Sequence, residues 1–519
     1  MEQAKKTLKD SIAMRWFILV IISALMFATY WFQDFYSGLK PAVEALGFSS
    51  EEFGRMIGLT TIANVFGMII IGGIILDKWG IKLAGLIFGV MAGLGGLISA
   101  LGAYQYFGEN GSSAQLISMI IGRVLFGSGL EVICVVVTRT VVKWFKGYEL
   151  ALAMAINVGF GRLGSAMGIA LSIDIGGGAV APAVAFAATL IGISLIFFLV
   201  YLIFDVMLDR QRGRKTEDEE GDEEFKFSDL VDLATNKSFI YIALLCVSFY
   251  AAVFPFMQYA PDLLINKFGF SAELPSEGNY FTPFGMQTLG SVVIFLALFL
   301  FGVGFSMVPL RIKSSTGKGV SILIILVLFV LFGYSLRDQF AIWFSNGPKT
   351  ASVLPLATVF FTPIFGSYVD RKGKAASLMI LGSLLLILAH VFLSSFSHVI
   401  FGYLGLISLG IAFSLVPAAM WPSVAKIVAE SRLGTAYASM FTVQNWGLLL
   451  FFWGIGAVLD LANKANLEKI RSGEMMYDYT VPIALLVICG LIAMFLAFKL
   501  RQADKEQGYG LELPSGQKA

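Results

Sequence analysis

Fourteen predominantly apolar stretches, each long enough at about 20 residues to cross the ~30 Å hydrocarbon layer of a bilayer, dominate this sequence. Six fall before residue 209, near 15–36, 55–77, 83–105, 115–141, 149–172 and 180–208. Eight follow residue 237, near 238–262, 287–309, 318–336, 344–369, 376–396, 399–424, 434–460 and 480–500. A chain that is 57% hydrophobic and 14% charged, with mean hydropathy +0.80, cannot cover a soluble domain with polar surface. In lipid every backbone N–H and C=O must be paired within the protein, which leaves helices or closed barrels. The stretches are continuously apolar rather than alternating, so the reading is an all-α polytopic membrane protein with 14 transmembrane helices.

Charge sets the expected topology, since Lys and Arg gather in cytoplasmic loops. With the amino terminus cytoplasmic, 26 of the 37 basic residues fall in cytoplasmic loops and tails, eight on the opposite side, and three, Arg123, Arg139 and Arg162, inside spans. Both termini are therefore expected in the cytoplasm, in the plasma (inner) membrane if the source is bacterial. The first apolar run lacks a small-residue cleavage site and reads as a span rather than a signal peptide. A net charge of +2, dispersed among short loops, argues against nucleic acid as a partner. Cys134, Cys246 and Cys489 all lie in apolar spans, leaving neither a disulfide framework nor metal-ligand spacing, and no cofactor is implied.

An internal repeat divides the chain. Gly73-xxx-Asp77-Lys78-x-Gly80 returns as Gly366-xxx-Asp370-Arg371-x-Gly373 at a constant offset of 293. Gly405, Gly410 and Gly447 stand to Gly122, Gly127 and Gly164 at an offset of 283. The expected organisation is a six-helix bundle over 1–208, a polar bridge over 209–237, and the first helix of a second bundle at 238–262. An inserted hairpin over 283–339, the rest of that bundle over 340–500, and a disordered tail over 501–519 complete it. Within the bridge, the acidic centre is expected to be solvated, and FKFSDLVDLA to lie as a short helix on the membrane surface.

Two charges stand out because an ionisable group in mid-membrane is costly unless it meets a partner or water. Glu131 lies near the middle of 115–141 and Arg162 near the middle of 149–172. A carboxylate accepts from an ammonium and a guanidinium grips a carboxylate bidentately, so the two suit a zwitterion. The alternative is a structural ion pair locking two helices. Their repeat equivalents are Ser414 and Asn445, neutral hydrogen-bonding groups. Gln444, Trp421, Tyr30, Asn64 and Tyr250 complete the candidate substrate contacts, although each aromatic is individually more common as packing. Asp77, Lys78, Asp370, Arg371 and Arg139 are candidate gating residues. Arg123 joins them, with a structural role in satisfying carbonyls favoured for it. His390 and His398 lie at or near the outer end of a span, a poor place for a central proton relay.

The repeated Gly-xxx-Asp-[Lys/Arg]-x-Gly loop and Arg123-xxx-Gly127-x-Gly129 resemble signatures of the major facilitator superfamily, which implies two six-helix bundles, here with two inserted helices. GRVLFGSGLE, VVKWFKGYEL and GFGRLGS, with YAAVFPF from Tyr250, Trp421-Pro422, LGTAY from Leu433 and Gln444-Asn445, resemble the lysosomal dipeptide transporter family called major facilitator superfamily domain-containing protein one. Leu130 and Arg139 depart from that pattern, where Gly and a small polar residue are expected. The resemblance implies passage of dipeptides without obligatory ion coupling, with Glu131 at the peptide's amino terminus and Arg162 at its carboxylate. The animal relatives also use a glycosylated accessory subunit, of which this sequence gives no sign. Proton-coupled peptide symport and carriage of small organic anions are the alternative readings. No HExxH, paired intramembrane aspartates or Ser/His constellation supports an enzyme.

Overall fold

The computed structural model describes residues 7–212, 227–275, 278–429 and 432–514. The first half comprises α1 (Ile12–Asp34), α2 (Ser50–Gly58), α3 (Met68–Ala103), α4 (Ser113–Phe145), α5 (Leu150–Gly176) and α6 (Val180–Arg212). A short helix, α7 (Phe227–Thr235), falls in the bridge. The acidic centre of that bridge lies outside the described residues. The second half holds α8 (Lys237–Phe268), α9 (Gln287–Arg311), α10 (Ser315–Ser335), α11 (Val353–Lys372), α12 (Ala375–Ser395), α13 (Val399–Ile427), α14 (Leu433–Ala462) and α15 (Thr480–Gln507).

Among the described residues, 13 helices are long and apolar enough to cross a membrane. The fourteenth crossing is hidden in α3, whose 36 residues contain a backbone reversal at Gly80 (φ 73°, ψ 173°), a conformation that only glycine adopts readily. Contacts with α4 prove the reversal. Thr60 meets Arg123, Asn64 meets Gly127 and Gly72 meets Val132, so this arm runs parallel to α4. Beyond Gly80, Phe88 meets Gly129, Gly95 meets Gly122 and Phe126, and Gly102 meets Ser118, so the second arm runs antiparallel. Gly373, the repeat equivalent of Gly80, also has positive φ (71°) and separates α11 from α12. The duplicated sequence loop is thus a duplicated hairpin turn.

The expected span at 55–77 is not one straight helix. Helical turns from Ser50 to Val65 end at Gly67, which has φ 83°, before α3 continues the crossing. Close approach rather than turning explains Gly127: a Cβ there would stand 1.8 Å from the Thr60 carbonyl oxygen. The pseudo-symmetry extends to helix crossings, because Gly164 of α5 packs on Phe27 of α1 and Gly447 of α14 packs on Val247 of α8.

The first and last described segments share one end of the bundle. The Leu8 N–H donates to Gln211 at the end of α6, while Gln507 and Tyr509 bond Ser238 and Asn236 at the start of α8. We call this the terminal end and the opposite one the remote end. The tail is not disordered over its described part. α15 continues to Gln507, Leu511 is fully buried, and Lys426 donates to the carbonyls of Gly510 (3.0 Å) and Leu513 (2.7 Å). Glu512 caps the N-terminus of α12 by accepting from the Ser377 N–H at 2.8 Å.

The inserted hairpin, α9 and α10, touches both halves. Phe299 of α9 lies against Gly159 and Phe160 of α5, while Gly302 packs on Val359 and Phe360 of α11. No residue of α10 is buried.

Candidate functional site

Glu131 is carried by α4 and Arg162 by α5. Both are partly exposed although they lie midway along membrane helices, which places their charges at an internal space rather than in packed protein. Among the described residues they form no ion pair with each other. Tyr30 of α1 and Cys134 of α4 stand beside both. The guanidinium of Arg162 instead reaches across to the second half, 4.8 Å from the centre of the Phe413 ring. A cation over an aromatic face gains about 0.5–2 kcal/mol without consuming its N–H donors, so the fork stays available for a carboxylate.

The facing wall is aromatic. Phe413 of α13 stands edge-on to Phe254 of α8 at 5.5 Å, and Phe254 stacks on Tyr250 at 5.2 Å. The Trp421 Nε1–H donates to the Tyr250 hydroxyl at 3.0 Å, and the Trp421 ring stacks on Phe441 of α14 at 4.8 Å. Gln444 adjoins this wall, its Oε1 3.5 Å from the Cys246 sulfur. One half thus presents separate opposite charges, and the other presents broad apolar faces with few polar groups.

Three expected contacts are placed otherwise. Ser414 is fully buried and donates to the Gly410 carbonyl of its own helix at 2.9 Å. Asn445 is likewise buried and spends its amide on the Phe441 carbonyl at 2.8 Å. The repeat offset transfers a position along the helix, but not which way the side chain turns. Asn64 is buried at the broken second crossing, its amide 3.5 Å from the Gly127 carbonyl and its Oδ1 without a hydrogen-bond partner. Arg123 braces the first half: it is fully buried and donates to Thr60 (2.8 Å), the Phe32 carbonyl (2.8 Å) and the Gln33 carbonyl (3.4 Å). Phe254 lies within the YAAVFPF stretch but is not among the expected contacts, and Phe413 has no motif to single it out among 46 phenylalanines.

Hydrogen bonds and ion pairs between the halves concentrate away from the terminal end. Nearest the site, the buried Asp34 of α1 accepts from Ser165 of α5 and, at 2.8 Å, from Gln258 of α8. Farther out, the buried Lys40 ammonium lies 2.7 Å from both Asp262 of α8 and Glu44, and the Tyr479 hydroxyl also donates to Asp262. Asp460 of α14 accepts from the N–H groups of Ser50 (3.3 Å) and Glu51 (2.7 Å), placing a carboxylate on the positive end of α2. Trp446 donates to the Val65 carbonyl at 3.0 Å, and Lys349 donates to the Ala170 carbonyl at 2.6 Å while pairing with Asp174.

Among the described residues, the ion pairs between transmembrane helices at the terminal end join helices of the same half. Arg139 meets Asp77 at 2.6 Å, and Lys82 and Lys143 share Asp205 and Asp209. Arg15 reaches Glu149 at 3.1 Å. A backbone hydrogen bond, and then Arg15, hold the Glu149 carboxyl below the usual glutamate value despite some desolvation. Lys78, Asp370 and Arg371 are exposed near the two duplicated turns.

Residues 16–345 match the sequence profile of the Major Facilitator Superfamily. The chain is 25% identical over 463 residues to the lysosomal dipeptide transporter MFSD1 of Danio rerio, covering 87% of this chain and 82% of that protein. It is 24% identical over 474 residues to the Homo sapiens protein of the same name, covering 88% and 82%. Among solved structures, a bacterial homolog of the human lysosomal transporter Spinster, inward-facing and occupied, superposes with a TM-score of 0.59 at 11% identity, covering 95% of this chain and 97% of that one. The POT family transporter PepTSo gives 0.55 at 15% identity, with 96% and 98% covered. A profile match over more than half of the chain, together with two hairpin-repeated halves, makes this protein a member of the Major Facilitator Superfamily.

Proposed function

We propose that this protein carries short peptides, dipeptides foremost, across its membrane by alternating access. Glu131 takes the peptide ammonium, Arg162 takes the carboxylate, and the wall of Phe413, Phe254, Tyr250 and Trp421 accommodates side chains. The observation that carries this reading is the arrangement of two opposite charges on successive helices of one half, unpaired with each other, with one of them facing the aromatic wall of the other half. A dipeptide fits because its ammonium and carboxylate are held apart by a peptide unit of nearly fixed length. The printed names of the relatives point to the same substrate class.

The charge asymmetry of the loops supports a cytoplasmic terminal end, so the conformation described is sealed toward the outside. Rocking of the two halves about the site then exchanges one closed end for the other. Uniport is the simplest mode, because Glu131 and Arg162 are both engaged by a zwitterion and no further titrating group is required.

Uptake of labelled dipeptide into proteoliposomes, with and without an imposed pH gradient, tests both substrate and mode. The expected result is equilibration and counterflow with no accumulation. Gradient-driven accumulation would replace uniport by proton symport. Equal uptake of an amino-terminally acetylated dipeptide would favour an organic-anion carrier, in which Arg162 alone holds the solute.

A further inference from the structure

Between the inserted hairpin and the bundle lies a cavity of about 790 Å³ lined from α9, α10, the short helical segment Arg337–Phe344 and α11. Its wall is overwhelmingly apolar and rich in phenylalanine, including Phe295, Phe301, Phe329 and Phe360. Packed protein seldom leaves a void much larger than a water molecule, and water needs two or more polar partners to occupy one. The polar groups here are few. Lys349 is already committed to Asp174 and the Ala170 carbonyl, and Ser352 donates to the Lys349 carbonyl at 2.6 Å. The remaining cation, Arg337, sits at the remote end, 5.0 Å from the Tyr334 ring and 3.5 Å from Asp338, with its side chain 62% exposed.

The dimensions match one membrane leaflet. Along α11 the lining runs from Val353 to Ile364, which at 1.5 Å per residue is roughly 17 Å. Half of a ~30 Å hydrocarbon layer is about 15 Å. The cavity is therefore as deep as an acyl chain layer, with its positive charge at the level of a headgroup. It also lies beneath a helix, α10, that buries no residue of its own.

We infer that this cavity is a phospholipid site: an acyl chain of the remote leaflet fills it, and Arg337 holds the headgroup phosphate. The lipid completes the packing between α10 and α11, adding to the direct contacts that α9 makes with α5 and α11. Asp338 balances part of the Arg337 charge, so the preference for anionic headgroups is a few-fold rather than absolute. A site of this kind follows from the cavity and its rim, and stands whichever solute the central site carries.

Native mass spectrometry of the full-length protein in detergent, titrated with phosphatidylglycerol or phosphatidylcholine, reads the site directly. Wild type is expected to retain one tightly held lipid. Ile325→Trp, which fills the cavity from α10, should lose it, whereas Leu323→Trp on the same helix but outside the lining should keep it. Arg337→Gln should weaken phosphatidylglycerol about five-fold, as expected for one cation worth ~1 kcal/mol at an anionic headgroup, and weaken phosphatidylcholine less, because its choline ammonium already offsets the phosphate charge. Val353→Trp fills the opposite wall and serves if Ile325→Trp lowers the lipid-free melting midpoint. A wild type that retains no lipid, or a filled variant that retains it as tightly as wild type, would overturn the site.

Discussion

The two ends of this molecule are built differently. At the remote end, buried charges and backbone groups of one half are satisfied by the other: Lys40 by Asp262, and the N–H groups of Ser50 and Glu51 by Asp460. At the terminal end, the ion pairs among the described transmembrane helices join neighbours within one half, as in Arg139 with Asp77. A contact within a half travels with that half when it rocks, whereas a contact between halves must break. On the proposed alternating-access reading, the remote end is the closed gate of this conformation, and its bonds oppose the alternate state.

Breaking the remote cluster should have the largest effect. Lys40→Met leaves Asp262 and Glu44 buried without their cation, and removing one member of a buried pair costs about 3–5 kcal/mol. Chemical unfolding should register that loss, and a thiol probe at Ser50→Cys should become more reactive as the remote end opens. An unchanged midpoint and unchanged labelling would show that the cluster does not hold the gate.

Substitution at the duplicated turns comes next. Gly80→Ala and Gly373→Ala impose positive φ on a residue with a Cβ, worth about 1–3 kcal/mol each. Gly373→Ala should cost the more, because its Cβ would also stand 2.4 Å from the Leu513 backbone; a loss at Gly373 alone, with none at Gly80, would break the symmetry of the turns. Asp34→Asn removes the charge from the link to Gln258 while keeping an acceptor. Its expected cost is about 1 kcal/mol, with a shift toward the remote-open state visible by the same thiol labelling. The smallest effect belongs to Asp77→Asn, because a half-exposed pair contributes under about 1 kcal/mol and is screened by salt. A large, salt-independent loss there would contradict the contrast between the ends.

Much of the architecture is legible because membrane crossing depends on apolar length and backbone pairing, both written locally in the chain. The repeated Gly-xxx-Asp loop even locates the reversal at Gly80, which helix length alone conceals within α3. Side-chain orientation is less local. Ser414 and Asn445 were expected at the site from the repeat, yet both turn to carbonyls of their own helices. The tail reads as polar and hence disordered, because a single buried Leu511 and backbone contacts to Lys426 leave no compositional trace. Lys40 reads as a loop residue of the outer side, and only the fold reveals Asp262 opposite it. The aromatic wall is obscure for the opposite reason, since phenylalanine is everywhere in the spans and nothing distinguishes Phe413.

The central claim is that Glu131 and Arg162 hold opposite ends of one peptide. A thermal-shift titration of wild type, Glu131→Gln and Arg162→Lys with a panel of dipeptides tests it, since a ligand that binds only the folded state raises the melting midpoint. The account predicts concentration-dependent stabilisation of wild type and its loss in both variants, because an amide lacks the charge and an ammonium lacks the bidentate fork. Undiminished stabilisation of either variant would remove that residue from the site and contradict the claim.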